Sequence, residues 1–129
     1  MKTVTQIGSL LIIIAAWSCD VSDTESISPI IATDLPDACS LGETIKFKVY
    51  HVVFNGCGEY FKHEAAEDGN VITVKFYAKY PKAQVCPNNI STLETYYYFE
   101  AKQKGLIYFR FFQDNYNGLE YILDTLRVQ

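Results

Sequence analysis

Two segments of this chain alternate apolar and polar side chains with a period of two, and this pattern restricts the fold more than any other feature. On one side of segment 43–54 the apolar residues are Ile45, Phe47, Val49 and Val53, with Lys46, Lys48 and Tyr50 on the other. On one side of segment 71–80 they are Ile72, Val74, Phe76 and Ala78. Because successive side chains of a strand point to opposite faces, each segment predicts a β-strand that buries one face.

Turn residues divide the rest of the chain into further segments of strand length. These segments are 59–66, 91–101, 106–113 and 119–128. The breaks between them are rich in Gly, Pro, Asn and Asp, as at Asp68-Gly69-Asn70. No long helical period and no internal repeat is present. The pattern predicts an all-β domain, either a β-sandwich or a small antiparallel barrel.

Length and composition fit one folded domain. The chain has 129 residues, of which 49% are hydrophobic and 20% are charged, so it can bury a core. The net charge of −4 gives no sign of the basic surface that nucleic-acid binding requires. We therefore expect no nucleic-acid partner.

The N-terminus has the pattern of an export signal. Met1-Lys2 supplies a positive charge, and the apolar segment 7–16 that follows is too short to span a membrane. Its length is that of the apolar region of a secretory signal. We predict a signal peptide over residues 1–18.

The next residues suggest a lipid anchor. Ala16-Trp17-Ser18-Cys19 resembles a bacterial lipobox. The resemblance implies that Cys19 becomes the first residue of the mature protein and carries covalent lipid, so that the membrane is a partner and no other cofactor is expected. The alternatives are an ordinary signal peptide cut after Ser18 or Ala16, or a free buried Cys19.

Segment 19–37 differs in composition from the residues after it. It contains Pro29 and Pro36, many Ser and Thr, and no base, and its acids are Asp20, Asp23, Glu25, Asp34 and Asp37. This composition predicts a flexible, solvated tether. Acids directly after Cys19 also resemble the surface-export signals of Bacteroidetes lipoproteins, which implies an outer-membrane lipoprotein exposed on the cell surface. Under enterobacterial rules, Asp20 would instead favour retention at the inner membrane.

The segment from Thr92 onward resembles the last strands of immunoglobulin-like and fibronectin type III-like bacterial domains. It runs Thr-Leu-Glu-Thr-x-Tyr-x-Phe, then Lys-Gly, an aromatic strand, a polar loop and Asp124-Thr125-Leu126-x-Val128. More closely, the chain resembles small immunoglobulin-like lipoproteins of Bacteroidetes. The resemblance implies a single immunoglobulin-like antiparallel β-sandwich of about 6–7 strands over residues 38–129.

Three cysteines remain once Cys19 carries lipid. The exported compartment is oxidising, so a disulfide is expected. We favour Cys57–Cys86, because both residues lie in loops that contain Gly, Pro or Asn at strand ends. Cys39 is then a free thiol, or the alternative disulfide partner of either residue.

No catalytic or metal-binding motif is present. His51, His63, Glu64, Glu67 and the cysteines lack the spacing of a structural zinc site, and we expect surface histidines and no metal. Ser40 and Ser91 do not lie in a nucleophile elbow. We therefore expect that the protein has no enzymatic activity. Asp124-Thr125-Leu126 resembles an O-glycosylation motif of exported Bacteroidetes proteins.

Tyrosines carry the best indication of binding. Tyrosines that face outward on neighbouring strands would form a flat contact surface for an unknown protein or glycan ligand, although most tyrosines in sheets pack across strands. We predict a contact loop at Asp114, Asn115, Tyr116 and Asn117. The function hypothesis is a non-catalytic binding module at the cell envelope, and the alternative is a periplasm-facing accessory of an outer-membrane complex.

Overall fold

The structure, a computed structural model, describes residues 23–82, 84–114 and 120–129, with only the backbone of Asp114. These residues form nine strands. Their bounds are β1 Thr24–Ser28, β2 Ile30–Thr33, β3 Ala38–Cys39, β4 Thr44–Val53, β5 Glu59–Asp68, β6 Val71–Tyr80, β7 Ser91–Glu100, β8 Gly105–Asp114 and β9 Glu120–Val128. None of the described residues belongs to a helix that is long and apolar enough to cross a membrane.

The strands form two sheets that pack as a β-sandwich. The smaller sheet has the order β2-β4-β7, and β4 pairs with β7 antiparallel along its whole length. In the larger sheet β5 pairs along one edge of β6, while β8 and β1 share the other edge. β9 pairs with β8, and the short β3 pairs with β9. The predicted all-β sandwich is confirmed.

The core lies between the two sheets and is mainly aromatic. The ring centroid of Phe47 in β4 is 5.3 Å from that of Tyr97 in β7. It is also 6.1 Å from the ring centroid of Phe109 and 6.2 Å from that of Phe111, which both belong to β8 in the opposite sheet. Phe76 of β6 is fully buried as well. The apolar faces predicted for β4 and β6 are the buried ones, as alternation requires.

The beginning of the fold corrects one prediction. The segment 19–37 was expected to be a flexible tether before a domain over 38–129, but Thr24–Thr33 forms β1 and β2. β1 pairs with β6 in the larger sheet, the chain changes sheet at Pro29, and β2 pairs with β4 in the smaller sheet. Proline tolerates such a crossing because it has no N–H to place in a ladder. Composition alone did not predict that β1 and β2 pair with other strands, because these two strands contain few buried residues.

The strand count and the pairing also differ from the expected antiparallel sandwich of about 6–7 strands. The described residues contain nine strands, because β1, β2 and the two-residue β3 were not expected. Two pairs are parallel, β3 with β9 and β6 with β8. The β6–β8 pair arises because the chain leaves the larger sheet after β6, forms β7 in the smaller sheet, and returns beside β6.

The predicted disulfide is confirmed. Cys57 and Cys86 are bonded, and their Cα atoms are 5.5 Å apart. The bond joins the β4–β5 loop to the β6–β7 loop. The two loops approach closely there, since Gly56 N–H donates to the Pro87 carbonyl at 2.8 Å and a Cβ added at Gly56 would lie 3.0 Å from Pro87 Cβ. Cys39 is free and buried at the junction of β3 and the core.

We expect the double variant Cys57→Ser/Cys86→Ser to lower the free energy of unfolding by about 3 kcal/mol, because the bond closes a loop and restricts the unfolded chain. Thermal unfolding with and without reductant measures the effect. Reductant should lower the melting temperature of the native chain and leave that of the double variant unchanged. A non-reduced peptide map with a Cys39 crosslink would contradict the assignment.

Candidate functional site

The outer surface of the smaller sheet carries a cluster of aromatic and cationic side chains. We call Lys46, Lys48, Tyr96 and Tyr98 the tyrosine face. The strand register places Lys46 opposite Tyr98 and Lys48 opposite Tyr96. Since the odd-numbered residues of β4 point into the core, these even-numbered residues point outward. Tyr96 and Tyr98 are 48% and 63% exposed, so a large part of each ring is open to solvent.

Cations lie directly on these rings. Lys46 Nζ is 4.0 Å from the centroid of the Tyr96 ring and 5.9 Å from that of Tyr98. Lys48 Nζ is 6.0 Å from the Tyr96 centroid. A lysine within about 6 Å of an aromatic face is attracted by the ring quadrupole. These contacts hold the tyrosine rings while leaving much of their surface open to a ligand.

The two lysines differ in their charge environment. Lys48 Nζ is 3.5 Å from Glu94 Oε2, and this carboxylate is the main reason that the pKa of Lys48 is raised. Among the ion pairs of the described residues, none involves Lys46. Lys46 is thus the cation of the tyrosine face that can pair with an anionic group of a ligand.

His51 corrects the expectation of surface histidines. It lies on the inner face of β4 and is fully buried. Its Nδ1 is 2.6 Å from Ser28 Oγ of β1, and its Nε2 is 2.7 Å from Thr95 Oγ1 of β7. Its ring packs against Phe76 at 5.1 Å. The side chain therefore joins strands of both sheets, and the alternation of β4 would have placed it inward.

The hydrogen bonds define the tautomer of His51. Ser28 Oγ donates its only proton to the Val52 carbonyl, at 2.6 Å. It must therefore accept from His51 Nδ1, which carries the hydrogen, and Nε2 accepts from the Thr95 hydroxyl. Burial lowers the pKa of His51 to about 4, so the ring is neutral at pH 7. Because the Ser28 proton is bound to a carbonyl and the hydroxyl is buried, this Ser–His pair lacks the arrangement of an activated nucleophile.

His63 lies on β5 and is exposed, as predicted, and it packs against the same phenylalanine ring as His51. Its ring stacks on Phe76 at 5.4 Å and lies 5.1 Å from the ring of Tyr97. Its Nδ1 is 2.7 Å from the Tyr60 hydroxyl. Burial lowers the pKa of His63 as well. Within the described residues, no three side chains of His, Cys, Asp or Glu come together as metal ligands.

A cleft of about 300 Å³ opens between the sheets where β5 and β7 approach each other. We call it the edge cleft. Its inner wall consists of the apolar or aromatic side chains Ile72, Tyr97, Phe99 and Ile107. Glu67, Glu100 and Lys102 lie at its mouth. Burial, and to a smaller extent Glu67, raise the pKa of Tyr97, so its hydroxyl remains protonated.

The other predicted site residues have different outcomes. Cys19 and the loop residues Asn115, Tyr116 and Asn117 lie outside the described residues, and Asp114 is the last residue of β8. The Cys39 thiol is buried, and burial followed by Glu43 raises its pKa, which makes it a poor nucleophile. Thr125 is exposed on β9.

Comparison with protein families matches the chain to a β-sandwich domain. The model of the ORF11 beta-sandwich domain matches residues 47–124, more than half of the chain. The chain belongs to this family. No curated protein and no solved structure matches it significantly.

The match places most of these features within the ORF11 beta-sandwich domain. The disulfide, the edge cleft and three members of the tyrosine face fall inside 47–124, whereas Lys46 and Ser28 precede it. Sequence reasoning predicted a contact surface of tyrosines that face outward on neighbouring strands but did not identify their lysine neighbours. It also did not find the contact of Ser28 with His51, which depends on the unexpected pairing of β1.

We expect the His51 network to make the stability of the ORF11 beta-sandwich domain depend on pH. The unfolded pKa is 6.5 and the folded pKa about 4, so the unfolded chain binds the proton first as the pH falls. The contribution of the neutral His51 ring is fully present above pH 6.5 and declines below it, and the loss of stability amounts to about 3 kcal/mol by the time the pH reaches the folded pKa.

Urea unfolding between pH 7.5 and 4 measures this dependence. His51→Gln should be less stable than the native chain at pH 7.5, and the difference should shrink towards pH 4. His63→Gln is the matched control, and its difference should change less. Parallel curves for the native chain and His51→Gln would contradict the assignment.

Proposed function

We propose that this protein is an exported, lipid-anchored bacterial lipoprotein that acts as a non-catalytic binding module at the cell envelope. The observation that carries the binding role is the tyrosine face, where Tyr96 and Tyr98 stay exposed beside Lys46. Tyrosine supplies a large rigid contact area with a polar tip, at a small entropic cost on binding. An unknown protein or glycan is the ligand.

The anchoring part of the proposal is supported by the N-terminal sequence. A positive start, a short apolar segment and Ala16-Trp17-Ser18-Cys19 favour lipid attachment at Cys19. Several acyl chains together hold a protein stably on a membrane. Because strand β1 begins at Thr24, only a few residues would separate the lipid from the sandwich. The domain would thus lie close to the membrane surface.

The resemblance of the chain to small immunoglobulin-like lipoproteins of Bacteroidetes favours a location at the outer membrane, exposed on the cell surface. The alternative is a periplasm-facing accessory that assembles with an outer-membrane complex, which the exposed edge of β7 favours. Protease treatment of intact cells separates the two. We expect loss of the domain while periplasmic markers survive, whereas full protection would favour the periplasmic accessory.

We expect Cys19→Ala to move the protein from the membrane fraction to the soluble fraction, because it removes the site of lipid attachment. Cell fractionation followed by immunodetection measures the change. Cys39→Ala removes a different thiol and should leave the protein on the membrane. A Cys19→Ala variant that remains membrane-bound would overturn the proposed anchor.

We expect Tyr96→Ser/Tyr98→Ser to weaken ligand binding at least about tenfold, because central aromatic residues carry most of the energy of a contact surface. The matched control is Tyr108→Ser, which removes a tyrosine exposed to a similar degree, 41%, from the larger sheet. Binding of the detergent-solubilised full chain to a glycan array and to immobilised envelope proteins measures the effect. Equal binding by all three proteins, or no binding by any, would contradict the role of the tyrosine face.

A further inference from the structure

The outer edge of β7 is a second surface with binding capacity. Within the described residues, β7 pairs only with β4, from Ser91 opposite Val53 to Glu100 opposite Thr44. A strand in a sheet has two hydrogen-bonding edges. The edge of β7 that faces away from β4 therefore has a row of backbone groups with no strand of the described residues beside it.

The hydrogen bonds around β4 identify these groups. Val52 N–H donates to the Pro29 carbonyl at 2.9 Å, and the Lys48 carbonyl accepts from Asp34 N–H at 3.1 Å, so even-numbered residues of β4 face β2. Ala101 N–H donates to the Glu43 carbonyl at 3.0 Å, so odd-numbered residues face the chain of β7. The register pairs odd with odd. The residues of β7 whose N–H and C=O groups point to the open edge are therefore Thr92, Glu94, Tyr96, Tyr98 and Glu100.

The neighbouring edge strand is protected against pairing, whereas β7 is not. β5 carries five formal charges in ten residues, at Glu59, Lys62, Glu64, Glu67 and Asp68. Charged side chains, lysine above all, are a common means of preventing an edge from pairing with another chain. β7 carries only Glu94 and Glu100 and contains neither lysine nor proline. This contrast indicates that the edge of β7 is kept available.

The edge cleft lies beside this open edge. Its lining includes Tyr97 and Phe99, which point into the sandwich, and also Tyr98 and Glu100, whose backbones face outward. The cleft therefore extends from the space between the sheets to the edge of β7. A strand added to β7 would place every second side chain on the inner side of the sheet, towards this cleft.

We propose that β7 binds an extended polypeptide segment of a partner protein as a fourth strand of the smaller sheet, with one side chain in the edge cleft. In strand addition, backbone hydrogen bonds provide affinity and pockets for alternate side chains provide specificity. Here the open N–H and C=O groups of β7 would provide the affinity, and the edge cleft would provide the specificity. The inference goes beyond the proposed function and does not depend on the anchor or on the tyrosine face.

A second copy of this chain fits the site less well. If two β7 strands paired, the inward side chains of each, such as Tyr97, would already be buried in their own core. None of them would be free to fill the cleft of the other copy. An extended segment whose alternate side chains are not already buried can both pair with the open edge of β7 and place a side chain in the edge cleft.

Two variants at Glu94 test the edge. Glu94→Pro removes an N–H that points to the open edge and leaves the ladder with β4 intact, which is where a strand tolerates proline. Glu94→Ala removes the same carboxylate and its ion pair but keeps the N–H. The probe is a phage-displayed library of linear ten-residue peptides, selected on the detergent-solubilised full chain.

The selected peptides should bind Glu94→Ala like the native chain and Glu94→Pro about tenfold more weakly, since a peptide carbonyl loses its donor. Gln103→Trp, which narrows the mouth of the cleft from an exposed turn, should weaken binding as well, with Gln103→Ala as its control. This second pair keeps the test valid if the proline variant unfolds. Failure to select any peptide, or equal binding by native chain, Glu94→Pro and Gln103→Trp, would overturn the proposal.

Amide hydrogen exchange provides a readout with a distinctive pattern. In the free protein the N–H groups of Thr92, Glu94, Tyr96 and Tyr98 should exchange faster than those of Leu93, Thr95 and Tyr97. Bound peptide should protect the first group selectively. If sedimentation instead shows a dimer that Glu94→Pro dissociates, the edge belongs to a second copy and the peptide proposal is wrong. Because both Glu94 variants keep Tyr96 and Tyr98, a negative result in these experiments would overturn strand addition at β7 without testing the binding role proposed for the tyrosine face.

Discussion

The contact of Phe47 with Phe109 and Phe111 across the two sheets determines what the rest of the surface can do. These rings come from β4 and β8, which lie in different sheets, and their packing commits the odd-numbered residues of β4 to the core. Lysines at the even-numbered positions must then face outward, where the register with β7 sets them beside tyrosines. A slip of one residue would exchange the two faces and bury two lysines. The tyrosine face is thus a consequence of the aromatic core.

A polar network adds a second connection between the sheets at the end of β4. His51 accepts and donates within the core, and its partners Ser28 and Thr95 belong to β1 and β7. Satisfied buried hydrogen bonds cost little, whereas the loss of one partner leaves a buried polar group unpaired. The network therefore favours one arrangement of three strands over alternatives that an aromatic core alone would tolerate. It also holds β7 in place from the inside while its outer edge remains open.

The regular strands were predictable from sequence because their signal is local. The alternation around Phe47 and around Val74 is strong enough to identify strands, buried faces and most boundaries. Loop composition was sufficient to favour Cys57–Cys86. The pairing of β1 was not predictable in this way, since its only fully buried residue is Ser28 and its partner β6 lies about fifty residues further along the chain. The orientation of His51 was available from the same alternation, but a polar residue in an apolar series was interpreted as a surface residue.

The candidate sites were less predictable than the strands because they depend on which strands become neighbours. Lys46 and Tyr98 are far apart in sequence and meet only through the β4–β7 register. The edge cleft requires that β5 of one sheet approach β7 of the other, and no local pattern encodes that approach. β5 is long, charged and largely exposed, so it adds little to the core. Its contribution to the edge cleft is Glu67 at the mouth, so the position of β5 matters more for the cleft beside the open edge of β7 than for the core.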